Sequence, residues 1–322
     1  MTGQRKLLDE LMESAVGSTD RTFRGQNDQR KRSMAQQANV IVNSVGAISA
    51  LIVVCWIGYS ALHKEEMAVC EGRYPTSTRF SLASSSGESV TLGELQARIG
   101  LTEWGILQNA RVLTPEAGTN TPVLGVTLGQ GTSGGYRADQ TRGGIGFTWT
   151  PSDMADANPT AACLSYRVFL PANFQFSLGG TLPGLMIGSG FDPRGEPIVG
   201  DGAAVRPGWS VDGRIGVDVQ YATREGWKNP SALNAKTTWP SGRWINVEQE
   251  VILNDAGKKN GIIRLWLDGE LAGENTALAL RGDDTLAMSG VIADVHYGGV
   301  LNNATAPEDT EVRVSPFVVR WQ

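Results

Sequence analysis

Six stretches of this chain read as β-strands, and no helical period separates them. They are Pro122–Leu128, Leu164–Leu170, Arg214–Tyr221, Trp244–Leu253, Ile262–Leu267 and Val312–Trp321, several of them alternating with period two. Asp268-Gly269 sits between Ile262–Leu267 and Glu270–Ala272, a pattern that specifies a tight hairpin. So many strands without intervening helices predict an all-β antiparallel sandwich of jelly-roll type. Forty glycines, nine tryptophans and only 19% charged residues suit a turn-rich β protein better than a helical bundle. A net charge of −5 argues against nucleic acid and against a polyanionic polymer as the main partner, an average that a local basic groove could override.

One segment departs from the β pattern. Residues 38–62 carry no charge and are long enough to cross a bilayer as a helix, with Trp56 and Tyr59 near the far end. Arg21, Arg24, Arg30, Lys31 and Arg32 precede the run, against Lys64, Arg73 and Arg79 beyond it. That excess places the N-terminus in the cytoplasm, and the run starts too far from Met1 for a cleaved signal peptide. The expected organisation is a cytoplasmic segment 1–37, a transmembrane helix 38–62, a linker with a short helix 63–103 and an outer β domain 104–322. This describes a bacterial inner-membrane protein whose C-terminal domain is periplasmic. Asn43, Gly46 and Ala50 give the helix polar and small positions that suit contact with another membrane helix; lying at headgroup depth would equally explain the asparagine.

Thr91 followed by Glu94 reads as a capping box opening the short helix. Cys55 lies in the apolar run, which leaves Cys70 and Cys163 as the possible disulfide, a bond that needs an oxidising compartment.

The stretch Tyr166-Arg-Val-Phe-Leu-Pro-Ala-Asn-Phe-Gln-Phe-Ser-Leu-Gly-Gly-Thr181-Leu-Pro-Gly-Leu185 runs a strand into a Gly-Gly turn and a Leu-Pro-Gly corner. It resembles the signature segment of the alginate and glucuronan lyases, polysaccharide lyase family fourteen and its relatives. Arg142-Gly-Gly-Ile-Gly-Phe147, Gly242–Asn254, Asn260–Gly269 and Val295-His-Tyr-Gly-Gly299 add to the resemblance, which spans roughly Trp104 to Gln322. It implies a jelly roll and β-elimination on a uronic-acid polymer. That reaction removes a weakly acidic proton beside a carboxylate. It therefore needs a cation to neutralise the carboxylate, a base for the proton and an acid for the leaving oxygen.

In the family a lysine between Gly-Gly and Leu-Pro-Gly and a Tyr-x-Tyr pair on a later strand supply much of this. Here the lysine position is Thr181, and Val217-Asp-Val-Gln-Tyr221 aligns Val219 and Tyr221 with the pair. If the site were active, Tyr221, His296 and Arg214 would carry it, with Arg206 and Lys228 as further cations able to relocate. The expected ligand groove holds Thr181, Tyr221, Trp227, Trp239 and His296, the two tryptophans as stacking platforms. His296 fits a base on an open strand face or a plain core or edge histidine. Asp283-Asp284 and Glu308-Asp309 lack calcium-loop spacing, and neither a metal nor a cofactor is expected. The resulting expectation is a non-catalytic accessory subunit of a larger membrane complex. The alternatives are an extracytoplasmic binder of an acidic polysaccharide and an active polyuronate lyase.

Overall fold

The computed structural model describes residues 46, 49, 69–100, 103–115, 119–134, 142–189, 202–223, 226–228, 231–298 and 304–322. Residues 66–322 form a compact unit of their own. Its helices are α1 (Val69–Arg73), α2 (Leu92–Ile99), α3 (Ile106–Asn109) and α4 (Ser152–Ala157). Its strands begin with β1 (Thr76–Phe80), β2 (Glu103–Trp104), β3 (Ala110–Leu113), β4 (Val123–Leu128), β5 (Gly146–Trp149) and β6 (Ala161–Phe169). They continue with β7 (Gly180–Thr181), β8 (Gly184–Gly188), β9 (Gly202–Trp209), β10 (Arg214–Thr223), β11 (Gly226–Lys228), β12 (Ser231–Thr238) and β13 (Trp244–Ile252). The last are β14 (Gly261–Leu267), β15 (Glu270–Leu278), β16 (Met288–Ile292), β17 (His296–Tyr297), β18 (Thr310–Val314) and β19 (Phe317–Trp321).

These strands form two antiparallel sheets, as a sandwich requires. The first runs β15-β14-β13-β6-β18-β4-β3, with β19 on β6 and β1 on β19. The second runs β11-β10-β9-β8-β16-β5-β2, with β12 on β10 and β7 between β9 and β17. Period-two alternation turns one face of each sheet inward. Leu164, Tyr166, Val168, Val247 and Val251 of the first meet Leu185, Ile187, Val205, Val217 and Val291 of the second in one core.

Local chemistry explains the joints. Thr91 Oγ1 accepts the Glu94 amide while the Glu94 carboxylate accepts the Thr91 amide, closing the box that starts α2. Asp268 and Gly269 both take positive φ, 50° and 78°, the geometry of the hairpin between β14 and β15. The stretch expected as one strand, Val312–Trp321, is two. Ser315-Pro316 breaks it, so that β18 pairs with the end of β6 and β19 with its start.

Residues 69–99, expected as linker, belong to the domain. Cys70 is bonded to Cys163, and Tyr74 packs beside them. Arg73, Tyr74 and Arg264 all bond Glu250, while β1 pairs with β19 along its length. Phe80, Leu82, Val90, Leu95 and Ile99 enter the main core.

Among the described residues no helix is long and apolar enough to cross a membrane. The expected span 38–62 lies outside the described residues except for Gly46 and Ser49, both helical and exposed; Asn43 and Ala50 lie outside.

Candidate active site

Thr181 fixes which face of the second sheet is the candidate site. It stands in register opposite His296 on one side and Gly208 on the other, and Gly208 opposes Gly216. Residues directly opposite share a face, so Thr181, His296, Gly208 and Gly216 look the same way, outward from the core. Two glycines beside Thr181 leave a floor without side chains.

Strand parity then corrects the tyrosine assignment. Along β10, Ile215, Val217 and Val219 are core residues, and Tyr221, half-buried, packs against the same core. The residues of β10 on the Thr181 face are Gly216, Asp218 and Gln220. Neither Val219 nor Tyr221 is therefore available to a substrate there. Tyr221 continues the apolar series Ile215-Val217-Val219.

Trp239 is likewise a core residue, 3% exposed, with its indole N–H donating to the Gly208 carbonyl at 2.8 Å. It holds the floor from beneath and offers no stacking surface. Trp227 lies on β11, its side chain outside the described residues. Arg214 opens β10 and is exposed, opposite Thr238. Lys228 opposes Tyr221 on β11, its side chain also outside the described residues.

Among the described residues Arg206 is a cation carried on the same face. It is 9% exposed and sits on β9 directly opposite Asp218. Its guanidinium is ion-paired with Asp294, and its Nε has no bonding partner. Arg206 thus already has a carboxylate in contact and a second across the strand. A sugar acid would have to compete with both.

His296 is 5% exposed, and its Nδ1 lies 3.1 Å from its neighbour's carbonyl, Tyr297 O. A carbonyl only accepts, so Nδ1 carries the proton and Nε2 keeps the lone pair. Burial pushes the imidazole down to about 4; the nearby Asp294 opposes this, and Arg206 and Arg142 add to it. Such a ring is neutral near pH 7 but a weak base.

The ring is closely covered. A Cβ on Gly134 would lie 2.0 Å from the His296 Cγ, so only glycine fits there. A Cβ on Gly146 would lie 2.2 Å from the Trp104 Nε1 and 2.4 Å from an Asp294 oxygen, which accounts for one glycine of the Arg142–Phe147 segment. Arg142 lies 3.6 Å over the Trp104 ring, and Trp104 is 5.8 Å from the imidazole. Sequence reasoning missed Trp104, Arg142, Asp218, Gln220 and Asp294, because their grouping depends on pairing between strands far apart in the chain. With Arg142 and Arg206 set against Asp218 and Asp294, this part of the face has no net formal charge.

The buried histidine makes acid stability testable. Its folded pKa lies below the unfolded value of 6.5, so the unfolded chain takes up the proton first as pH falls. Stability contributed by the neutral ring is complete above pH 6.5 and is lost as pH falls toward about 4, by about 3 kcal/mol at most. Denaturant midpoints measured across that window should fall less steeply in His296→Asn than in the parent; equal slopes would refute this.

Among the described residues no group of three or more His, Cys, Asp or Glu converges as a metal site.

No curated protein sequence matches the chain. Solved structures do. The marine PL-14 alginate lyase of Aplysia kurodai superposes with a TM-score of 0.62 at 20% identity, covering 77% of this chain and 99% of its own. An alginate lyase from a Chlorella virus gives a TM-score of 0.55 at 16% identity over 66% and 89% of the two chains. A mutant of the alginate lyase Aly36B, solved with an alginate tetrasaccharide, gives 0.55 at 19% identity over 78% and 98%. These likenesses establish the fold. The polysaccharide lyase 14 family model matches residues 116–215 and 220–317, more than half of the 322 residues, and the chain therefore belongs to the polysaccharide lyase 14 family.

Proposed function

We propose that the chain is a membrane-tethered, non-cleaving member of its family, an accessory subunit of a larger membrane assembly. One observation carries the loss of cleavage. Where elimination calls for an ammonium and two phenols, the site face carries Thr181, Asp218 and the buried Gln220. None of the three neutralises a carboxylate, and Asp218 would repel one. Arg206 is held by Asp294, and His296 is too weak a base to take a proton beside an unneutralised carboxylate.

The tether and its compartment rest on other features. The uncharged run 38–62, with Asn43, Gly46 and Ala50, suits a bacterial inner-membrane helix that meets a partner helix. The Cys70–Cys163 bond suits an oxidising, periplasmic side.

Incubating the full-length chain with alginate and with glucuronan should release no unsaturated sugar above the blank. Sustained turnover would end the non-cleaving reading. Extraction in mild detergent should bring the chain out within a large complex, and a clean monomer would end the assembly reading. A second reading, retention of an acidic polysaccharide, is favoured by the glycine floor at Gly208 and Gly216, free of side chains, and by the alginate seen in Aly36B. Delay of the chain on an alginate column would support it.

A further inference from the structure

The opposite face of the molecule carries a cleft that the lyase reading does not use. It lies on the outward side of the first sheet, with a volume of about 350 Å³. Arg79 of β1, Arg167 of β6, Asn246 of β13, Asn120 and Ser315 line it. The alternation that buries Leu164, Tyr166 and Val168 turns Ser165 and Arg167 outward into this space.

Its walls are held in place from several sides. The break between β18 and β19 brings in Ser315, whose hydroxyl accepts the Arg167 amide at 2.8 Å and whose own amide donates to the Arg167 carbonyl at 2.9 Å. The Arg167 guanidinium lies 5.5 Å from the Trp244 ring, stacked as cations favour. Arg79 stands in register with Val318, one of the apolar residues of the lining.

The charges in the cleft are not balanced. Glu248 lines it too, but its carboxylate already accepts the Val69 and Cys70 amides, at 2.8 and 3.0 Å, and the Ser165 hydroxyl. Asp268, the carboxylate whose charge acts on Arg167, is ion-paired with Arg243 and accepts the Asn246 amide. Arg79 is exposed and has no ion-pair partner among the described residues. The exposed Arg79 guanidinium therefore faces the space with the neighbouring carboxylates occupied elsewhere, and Arg167 lies beside it. Two side-chain amides supply the bidentate donor and acceptor pattern that vicinal hydroxyls match.

We propose that this cleft is a saccharide site separate from the candidate active site, taking one acidic sugar unit. The carboxylate sits against Arg79 beside Arg167, and the ring hydroxyls meet Asn246 and Asn120. Its volume fits one or two pyranose rings, at the small end of ligand pockets. Nothing in this assignment depends on the chemistry at Thr181.

Calorimetric titration of the full-length chain in detergent with glucuronate, glucose and inorganic sulfate tests it. Glucuronate should bind saturably, glucose at least tenfold more weakly, and Arg79→Ala should weaken glucuronate by about tenfold or more, with Arg79→Lys between. Arg79 is exposed, so its removal leaves the fold intact, and an unchanged circular dichroism spectrum checks this. Three outcomes overturn the proposal. Glucuronate binding unchanged by Arg79→Ala puts its site elsewhere. Sulfate binding as tight as glucuronate reduces the cleft to a plain anion site. Absence of saturation into the millimolar range leaves no site.

Discussion

Thr181→Lys combined with Asp218→Tyr and Gln220→Tyr is expected to raise the lyase turnover of the domain well above that of the parent. The lysine would stand over the Gly208 and Gly216 floor, where a long side chain meets no opposing Cβ. The tyrosines would share its face because positions 216, 218 and 220 of β10 all do. One preorganised charge-stabilising donor contributes about 10²–10³ in rate, and a general acid–base partner about 10²–10⁴. Such groups act together, so the three changes as a set should raise unsaturated-sugar release at least about 10³-fold, and single changes far less. The register makes the prediction discriminating. Val219→Tyr, which restores the tyrosine at the position the bare sequence suggested, should add nothing and should destabilise the core it enters. A folded triple variant no faster than the parent on alginate and on glucuronan would refute this assignment of the face.

Breaking the Cys70–Cys163 bond is expected to cost about 3–5 kcal/mol of stability. The bond spans 93 residues of sequence, so its loss frees a long loop in the unfolded chain. In the folded state it fixes α1 to β6, where Cys70, Tyr74, Ala161 and Cys163 form a small cluster of their own. Thermal unfolding of the full-length chain with and without reductant, and of Cys70→Ser, should show midpoints lowered together by several degrees. The outer β strands should remain folded, because the main core does not include that cluster. A midpoint unmoved by reductant would mean that the bond contributes no net stability.

Much of the architecture was legible in the residues. Alternating runs, the Asp268-Gly269 turn and the Thr91–Glu94 box are local signals, and local signals survive without knowledge of the fold. The segment 69–80 was illegible for the opposite reason. Apart from the Cys70–Cys163 pair, its anchors, Glu248, Glu250 and β19, are all far along the chain, and a five-residue helix has no periodicity to read. Trp239 misled because its neighbours Pro240, Ser241 and Gly242 look like a loop, whereas burial is decided by what folds over it.

The sequence alone determined the strand-rich class, the family and the threonine at 181 between Gly-Gly and Leu-Pro-Gly, since each is written in consecutive residues. Only the tertiary structure decided that Asp218 and Gln220 face the site while Tyr221 does not, that Asp294 occupies Arg206, and that Gly134 closes over His296. The physical reason is that a strand's pattern says which residues share a face. Which strand lies opposite, and therefore which charge meets which, is fixed by hydrogen-bonded register between segments distant in the chain.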